Sequence, residues 1–280
     1  LVCYQINANT YGINMKISIA IPTYNSSRYL SENLGNLINV NSISEIVVRD
    51  DKSSSDEERK IKEIINNYQK KIDCEIKFFS NDKNVGAFRN KLNVVSDCKN
   101  EYIYQIDSDN VCRNNFDKFF KNFTNSNLES EKLYIPSKIY QFRKYKNLSK
   151  FASIFNDKYK VVYSKKDFTF TLKTIKNEIN NLEHNLINKN IRWVLNSGNF
   201  IVNKKAFISN MEEGLSFDDK ILSVDAFVIS YLWLKNDGKI HLTDDLYHFH
   251  RKRFDSVSFE YKNYFDEAVN YLESKINEIE

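Results

Sequence analysis

Residues Glu101–Asn110, which read EYIYQIDSDN, are the stretch that decides the fold. The aromatic and β-branched side chains within Tyr102–Ile106 predict a buried strand. That strand stops in two carboxylates one residue apart, Asp107 and Asp109. Open α/β sheets bind ligands at the carboxyl ends of their strands, so the stretch predicts a site at the end of a strand.

The acid pair alone has two interpretations. Neighbouring carboxylates raise each other's pKa unless a cation or a donor neutralises them. A hard divalent ion such as Mn²⁺ or Mg²⁺, shared with substrate phosphates, is the usual partner of such a pair. Asp, Ser and Asn are also the ordinary residues of polar turns, so the motif by itself leaves both interpretations open.

Three apolar runs precede this strand and are predicted to be strands themselves: Lys16–Pro22, Glu45–Arg49 and Cys74–Phe79. Apolar residues at helical spacing fill the gaps between the four runs. Ser54, three residues before Glu57, predicts a capping box at the start of the second helix. Strands that alternate with helices predict an α/β fold with a right-handed, mostly parallel sheet covered on both faces.

Composition narrows the classes of protein further. The 280 residues carry 41% hydrophobic side chains and a net charge of +4, which is too slight to indicate a nucleic-acid partner. The four cysteines have no paired spacing, so they favour a reducing, cytoplasmic location over a zinc site or disulfides. No apolar run approaches the roughly 20 residues that a bilayer requires, and residues 1–14 do not resemble a signal peptide.

Seven motifs resemble those of the inverting glycosyltransferases of family 2, which have the GT-A fold. They occur in the family's order and span nearly all of residues 16–258. The motifs are IPTYN (Ile21–Asn25), VVRDDKSSSD (Val47–Asp56), NVGAFRN (Asn84–Asn90), QIDSDN (Gln105–Asn110), LNSGNFIVNKKAF (Leu195–Phe207), VDAF (Val224–Phe227) and YHFHRKRFDSVS (Tyr247–Ser258).

The resemblance implies a Rossmann-like, mostly parallel central sheet flanked by helices, with a C-terminal acceptor-side subdomain and a terminal helix. It divides the chain into an extension at 1–14, a nucleotide-sugar-binding half at 15–110 and an acceptor-binding half of the same domain at 111–258. The amphipathic helix expected at 259–280 either packs on the domain or pairs with another chain.

The resemblance also implies the donor site. The turn after the first strand and the second acid of the Asp50–Asp51 pair would hold the base and ribose, whereas Asp50 could simply order its turn. Arg89 would lie near the nucleotide, or else be a surface residue of an amphipathic helix. The donor-side residues implied are Pro22, Thr23, Tyr24, Asn25, Asp51, Asn84, Arg89, Asp107 and Ser108.

On the acceptor side, the resemblance places Asp225 at the general-base position. Without the resemblance, Asp225 reads as an ordinary acid in the first turn of a helix. His248 and His250 would share a face if their strand persists, with either a structural role or a role at the metal and diphosphate. The resemblance gives Asp107, Asp109 and His250 as metal ligands, and Asn199, His248 and Arg251 as diphosphate or acceptor-side residues.

The function implied is inverting transfer of one sugar from a nucleoside diphosphate sugar to a glycan or lipid-linked glycan, in the synthesis of a surface polysaccharide or lipooligosaccharide. Transfer should be non-processive, because the QxxRW motif and membrane helices of processive synthases are missing. One alternative is a sugar nucleotidyltransferase, although PTYNSSR lacks the expected glycines. The other is a non-catalytic nucleotide- or glycan-binding module.

Two residues depart from the family's motifs. Lys52 stands where a glycine is common, and Val224 stands where a glutamate often precedes the catalytic aspartate. The basic stretch 143–146 is either a solvated face or a peripheral contact with an acidic membrane surface.

Overall fold

The computed structural model describes residues 15–110, 116–142, 159–180, 191–251 and 262–280. Several sequence predictions lie partly or wholly outside them: the extension at 1–14, the basic stretch 143–146, the start of the helix expected at 259–280 and most of the motif at 247–258. None of the described helices is both long and apolar enough to cross a membrane.

The N-terminal half alternates strands with helices, as predicted. Its elements are β1 (Ile17–Thr23), α1 (Ser27–Gly35), β2 (Ile43–Asp50), α2 (Ser55–Gln69), β3 (Glu75–Ser80), α3 (Ala87–Asp97) and β4 (Tyr102–Gln105). The four strands are parallel and lie in the order β3-β2-β1-β4. The carboxyl ends of β1, β2 and β4 therefore meet at one edge, with β1 in the middle.

The sheet is covered on both faces, and β1 shows why. All seven of its residues are buried, as expected for a parallel strand between two layers of helices. Ile17, Ile19 and Ile21 pack in the cluster that includes α1, α2 and the aromatic side chains of α4 (Phe116–Thr124). Ala20 points the other way, into the cluster built on α3. The aromatic side chains of α4 are therefore buried in the core.

The C-terminal half extends the same sheet. Its elements after α4 are β5 (Lys132–Phe142), β6 (Tyr159–Ser164), β7 (Phe168–Phe170), α5 (Leu172–Asn180), α6 (Ile191–Leu195), β8 (Phe200–Asn203), α7 (Lys204–Met211), α8 (Asp219–Leu222), α9 (Asp225–Lys235), β9 (Lys239–His250) and α10 (Lys262–Glu278). The order continues β4-β8-β5-β9-β7, and β6 pairs with β5. β8 is antiparallel to β4, so the segment that precedes β8 in the chain approaches the carboxyl end of β4.

The terminal helix α10 packs on the domain, as the first of the two alternatives left by the sequence expects. Leu272 and Ile276 are fully buried. Arg192 of α6 donates from Nη2 to Glu273 Oε2 at 2.7 Å. Apolar burial and a charge-assisted hydrogen bond thus fix the helix to α6 and α9.

The predicted capping box is half correct. Ser54 Oγ does accept a hydrogen bond from the Glu57 amide at the start of α2. The Glu57 carboxylate does not turn back to Ser54; its Oε2 accepts from the Ser27 amide of α1 at 3.2 Å. Ser26, which would otherwise cap α1, is engaged with Ser108, so a residue of α2 caps the neighbouring helix instead.

Candidate active site

Asp50 orders the turn after β2, as the sequence suggested. Its buried carboxylate accepts hydrogen bonds from Thr23 Oγ1 at 3.1 Å, the Ser53 amide at 2.8 Å and Ser53 Oγ at 2.5 Å. Lys52 within this turn has a φ of +60°, a left-handed conformation that glycine adopts without strain. Lys52, which stands where the family commonly has a glycine, therefore occupies a position at which the backbone is left-handed.

Asp51 holds the loop between β3 and α3. Its Oδ1 accepts from the Val85 amide and from Asn81 Nδ2, both at 2.8 Å, and its Oδ2 accepts from the Gly86 amide at 2.9 Å. Burial raises the pKa of this carboxyl, although the three donors act against the shift. A carboxylate has about four acceptor positions, so roughly one remains for a ribose or a base.

The turn after β1 is tied to the other two turns. The Asn25 amide donates to Ser53 Oγ at 2.8 Å, and Asn25 has a φ of +46°. Ser26 Oγ lies 2.7 Å from Ser108 Oγ in the turn after β4. The Tyr24 ring is 39% exposed beside these contacts. The donor-side residues predicted from the first, second and fourth strands are thus brought together at one edge.

The turn after β4 is closed by the Ser197–Asn199 loop before β8. Asn199 Oδ1 accepts from the Asp107 amide at 3.0 Å and from Asn110 Nδ2 at 3.3 Å. A Cβ atom added to Gly198 would lie 1.9 Å from Asp107 Oδ2, so only glycine lets the loop approach this carboxylate. Asn199, expected on the acceptor side, therefore lies directly against the strand-end acids.

Lys91 of α3 contacts both Asp107 and Asp225. Its Nζ lies 2.8 Å from Asp107 Oδ1 and 2.5 Å from Asp225 Oδ2. The Lys91 side chain is only 5% exposed, and the two carboxylates are about one-fifth exposed. We call these three residues the Lys91 cluster. It brings the start of α9 against the end of β4.

Sequence reasoning missed Lys91, although a signal was present. The buried stripe of α3 includes Phe88, Leu92 and Val95, and Lys91 lies on the same face three residues after Phe88. A lysine in an apolar helical stripe is rarely buried without a charged partner. That position could have predicted a buried ion pair, but not which acids would form it.

The electrostatics of the Lys91 cluster differ between its members. Burial lowers the pKa of Lys91, but Asp107 and Asp225 outweigh this and raise it, so the ammonium stays charged. Burial raises the pKa of the Asp225 carboxyl; Lys91 lowers it and Asp107 raises it further. One cation thus serves two carboxylates, and the cluster has a net charge of −1 when both are ionised.

The remaining donor-side residues are engaged within the protein. Asn84 Oδ1 accepts from the Gly86 amide at 3.1 Å and so helps to shape the loop before α3. Arg89 Nη1 donates to the Val85 carbonyl at 3.3 Å and to Asp219 Oδ1 at 2.9 Å. Arg89 is therefore a bridge between α3 and α8, neither free on the surface nor wholly buried.

The histidines share a face, as predicted, because β9 persists through His250. The rings of His248 and His250 stack with centroids 5.9 Å apart. Burial, with the charges of His250 and Lys91, holds the pKa of His248 well below its usual range, so this ring is neutral. Its Nδ1 has no hydrogen-bond partner in the part of the chain that the structure describes.

Arg251 packs against α1. Its guanidinium lies 4.5 Å from the centroid of the Tyr29 ring, and Nη2 lies 2.6 Å from Glu32 Oε2. Arg28 lies 4.7 Å from the same centroid. The end of β9 is thereby attached to the N-terminal half of the chain.

A divalent cation fits the acids only in part. Across the described ranges, no three His, Cys, Asp or Glu side chains come together as a metal site. Asp107 Oδ1 already faces Lys91, and Asp107 Oδ2 accepts from Asn110 Nδ2 at 3.3 Å. Mg²⁺ is commonly held by one or two carboxylates together with substrate phosphates. A site of that kind needs no three-residue cluster, and Asp109 is a carboxylate that could serve in it.

Comparisons with known proteins agree with this architecture. The model of the family described as Glycosyl transferase family 2 matches residues 18–206. A search of curated proteins found no match. The crystal structure of S. aureus TarS has a TM-score of 0.54 and 16% identity, over 92% of this chain and 39% of that chain.

Two structures of S. aureus TarS 1–349 are also similar. The free form has a TM-score of 0.53 and 18% identity, over 93% of this chain and 65% of that chain. The complex with UDP-GlcNAc has a TM-score of 0.52 and 17% identity, over 95% and 71%. At these identities the likeness establishes the fold, and the chain spans less than half of the longer TarS structure.

Proposed function

Because the chain belongs to glycosyl transferase family 2, we propose that it transfers a single sugar from a nucleoside diphosphate sugar to a hydroxyl of a glycan or lipid-linked glycan, with inversion. The match covers both acidic turns, the β3–α3 loop and the Ser197–Asn199 loop. Synthesis of a surface polysaccharide or lipooligosaccharide, at the cytoplasmic face of a membrane, is the setting that the sequence predicts.

The nucleotide of the donor would bind across the turns after β1 and β2. Tyr24 offers an exposed ring for a base, and Asp51 offers its remaining acceptor position for a ribose hydroxyl or a base N–H. Asn84 and Arg89 would border the nucleotide from the β3–α3 loop. The solved TarS complex holds UDP-GlcNAc, so uridine diphosphate sugars are the first donors to test.

Asp225 would act as the general base. Its carboxylate would accept the proton of the acceptor hydroxyl while that oxygen attacks the anomeric carbon and the nucleoside diphosphate departs. A pKa raised by burial suits this role, because a base is most effective when its pKa approaches the working pH. The single observation that carries the proposal is that Asp225 and Asp107, far apart in sequence, meet at one buried ammonium.

The donor diphosphate would lie beside the turn after β4. Mn²⁺ or Mg²⁺, when bound, would neutralise charge on the departing diphosphate. Asp109 is the residue we assign to hold it; the sequence resemblance implies Asp107 and His250 as further ligands, and Asp107 already faces Lys91. Ser108, Asn199, His248 and Arg251 would complete the surroundings of the diphosphate and acceptor.

Binding and turnover of donor test this proposal. We expect UDP sugars with Mn²⁺ to raise the melting temperature, and the correct donor to release nucleoside diphosphate when an acceptor is present. Ligand at about a hundred times its Kd should add roughly 2.7 kcal/mol to the stability of the fold. Asp109→Asn should remove the Mn²⁺ dependence of donor binding, because an amide is a poorer ligand for a hard cation.

A second candidate is a binding module of the same fold without turnover. It is favoured by one observation: Lys91 already pairs with both acids in the absence of ligand. Such a module would bind donor with the same thermal shift and yet release no nucleoside diphosphate. Nucleotide release therefore separates the two candidates, whereas donor binding alone does not.

A further inference from the structure

The Lys91 cluster contains a residue whose role no feature of the family match explains. Asp107 and Asp225 belong to motifs of the sequence analysis, but Lys91 follows the NVGAFRN motif and was not predicted to take part. It is nevertheless the charged group that contacts both acids. Its position raises the question of what an internal ammonium does in this site.

We propose that Lys91 is a positioning residue of the proposed transferase, whose ammonium holds Asp225 in place and serves as the counter-charge of Asp107 instead of a metal ion. The inference rests on the proposed function and adds to it a division of labour between the two strand-end acids. Asp109 binds the metal with the donor diphosphate, and Asp107 anchors Lys91.

The ion pair and hydrogen bonds around Asp107 support this division. Its Oδ1 receives Lys91 at 2.8 Å and Gln105 Nε2 at 3.0 Å, and its Oδ2 receives Asn110 Nδ2 at 3.3 Å. Gly198 approaches the same carboxylate so closely that a Cβ atom would not fit. A carboxylate enclosed by three donors and a backbone segment is poorly placed to exchange them for an ion.

Stability does not explain why an ammonium is buried here. Desolvating an ion is costly, and apolar residues of similar volume often stabilise such positions as well or better. The neighbours of Lys91 on its helix face, Phe88 and Val95, show that α3 accepts apolar residues at this depth. The positions that Lys91 fixes, at the end of β4 and the start of α9, are those where transfer requires accurate placement.

Lys91→Met, which keeps the length of the side chain and removes its charge, tests the role. We expect kcat for transfer to fall by about 10²-fold, the order of loss that a misplaced catalytic group produces, while the donor Kd changes by less than about threefold. Lys77→Met is the matched control: Lys77 forms a 2.8 Å ion pair with buried Glu45, outside the Lys91 cluster, and its loss should leave kcat unchanged.

A metal measurement needs no activity and separates this inference from the proposed function. Mn²⁺ binding to the donor-free chain is followed by electron paramagnetic resonance. Lys91→Met removes the competing ammonium from Asp107 Oδ1 and leaves Gln105 Nε2 as its neutral donor, so the Mn²⁺ affinity of the variant should exceed the parent's by about tenfold or more, within the range by which metal surroundings alter affinity. If the parent transfers no sugar from any donor, the proposed function fails while this comparison still decides the role of Lys91.

Asp107→Asn covers the case in which Lys91→Met does not fold. We expect Asp107→Asn to bind Mn²⁺ within about threefold of the parent, and Asp109→Asn to lose affinity by about tenfold or more. An Asp107→Asn variant that loses Mn²⁺ as strongly as Asp109→Asn would overturn the inference. Unchanged kcat and unchanged Mn²⁺ affinity in a folded Lys91→Met variant would overturn it as well.

Discussion

Ion-paired carboxylates lie at both ends of the parallel strands, and the two groups differ in how the negative charge is compensated. At the amino end, Glu45 of β2 accepts from Ser18 Oγ at 2.6 Å, from the Lys99 amide at 2.6 Å and from Lys77 Nζ at 2.8 Å. We call this group the Glu45 cluster. At the carboxyl end, the Lys91 cluster shares one ammonium between two carboxylates.

The pKa values of Glu45 and Asp225 shift in opposite directions, which agrees with this difference in charge compensation. Burial by itself would raise the pKa of Glu45, but Lys77, the Lys99 amide and Ser18 outweigh it and lower that pKa. The pKa of Asp225 is raised, chiefly by burial and further by repulsion from Asp107, although the shared ammonium of Lys91 acts in the opposite direction. The Glu45 cluster is thus typical of a structural ion pair, whereas Asp225 remains able to accept a proton.

The largest effect expected from this comparison is on turnover. Asp225→Asn keeps the size of the side chain and removes the proton acceptor, so kcat for transfer should fall by about 10²–10⁴-fold. Donor Kd should barely change, because the nucleotide turns follow β1 and β2. Steady-state kinetics and calorimetry check this against Asp218→Asn, whose carboxylate caps α8 and which Asn can replace. A retained kcat would send the search for the base to Asp218 and Asp219.

The next largest effect is expected from a substitution of Gly198, which approaches Asp107 in the Lys91 cluster. Gly198→Ala places a Cβ atom against Asp107 Oδ2 and displaces the carboxylate that holds Lys91, so transfer should fall by about 10²-fold. Gly35→Ala is the control, because its Cβ atom would lie 3.4 Å from the Tyr68 hydroxyl, which can move. Equal kcat values for the two variants would show that the approach of Gly198 has no catalytic consequence.

A smaller effect should separate the two acids after β2. Asp51→Ala should weaken nucleoside diphosphate binding by at least about tenfold, because a hydrogen bond to a charged group contributes about 1.5–3 kcal/mol. Asp50→Ala should mainly lower the free energy of unfolding, since its oxygens bind Thr23 and Ser53. Calorimetry and denaturant unfolding of both variants check this, and equal losses of binding would mean that the pair acts as one turn-forming unit.

Much of the fold could be predicted from the sequence, for identifiable reasons. The strands β1–β4 carry continuous apolar runs, and the intervening helices carry apolar residues at helical spacing, so local pattern located them within one or two residues. The antiparallel insertion of β8 between β4 and β5 could not be predicted, because strand order depends on long-range packing and not on local periodicity.

The site was less accessible to sequence reasoning. Motifs indicated Asp51, Asp107 and Asp225, and the structure brings the last two together. Lys91 was missed because a lysine carries no signal that identifies its partners at a distance in sequence. The docking of Arg251 on Tyr29 and Glu32 was missed for the same reason, since it joins the end of β9 to α1.

The pH dependence of stability follows from the two pKa directions. A lowered pKa at Glu45 means that its contribution is present above the pKa of the unfolded state and is lost as pH falls through the folded value. A raised pKa at Asp225 means a penalty that is present above the folded value and is relieved as pH falls through it. Acidification should therefore reduce the difference between the contributions of Glu45 and Asp225 to the free energy of unfolding.

The most direct test of this account compares the free energies of unfolding of Glu45→Gln and Asp225→Asn, measured side by side at neutral pH. Glu45→Gln should cost about 1.5–3 kcal/mol, because it removes the buried carboxylate that accepts from Ser18, the Lys99 amide and Lys77. Asp225→Asn should cost nothing or stabilise the fold, because Lys91 keeps Asp107 and the cluster becomes neutral. A loss of stability at Asp225→Asn as large as that at Glu45→Gln would contradict the account, because Asp225 would then be a structural ion-pair partner like Glu45.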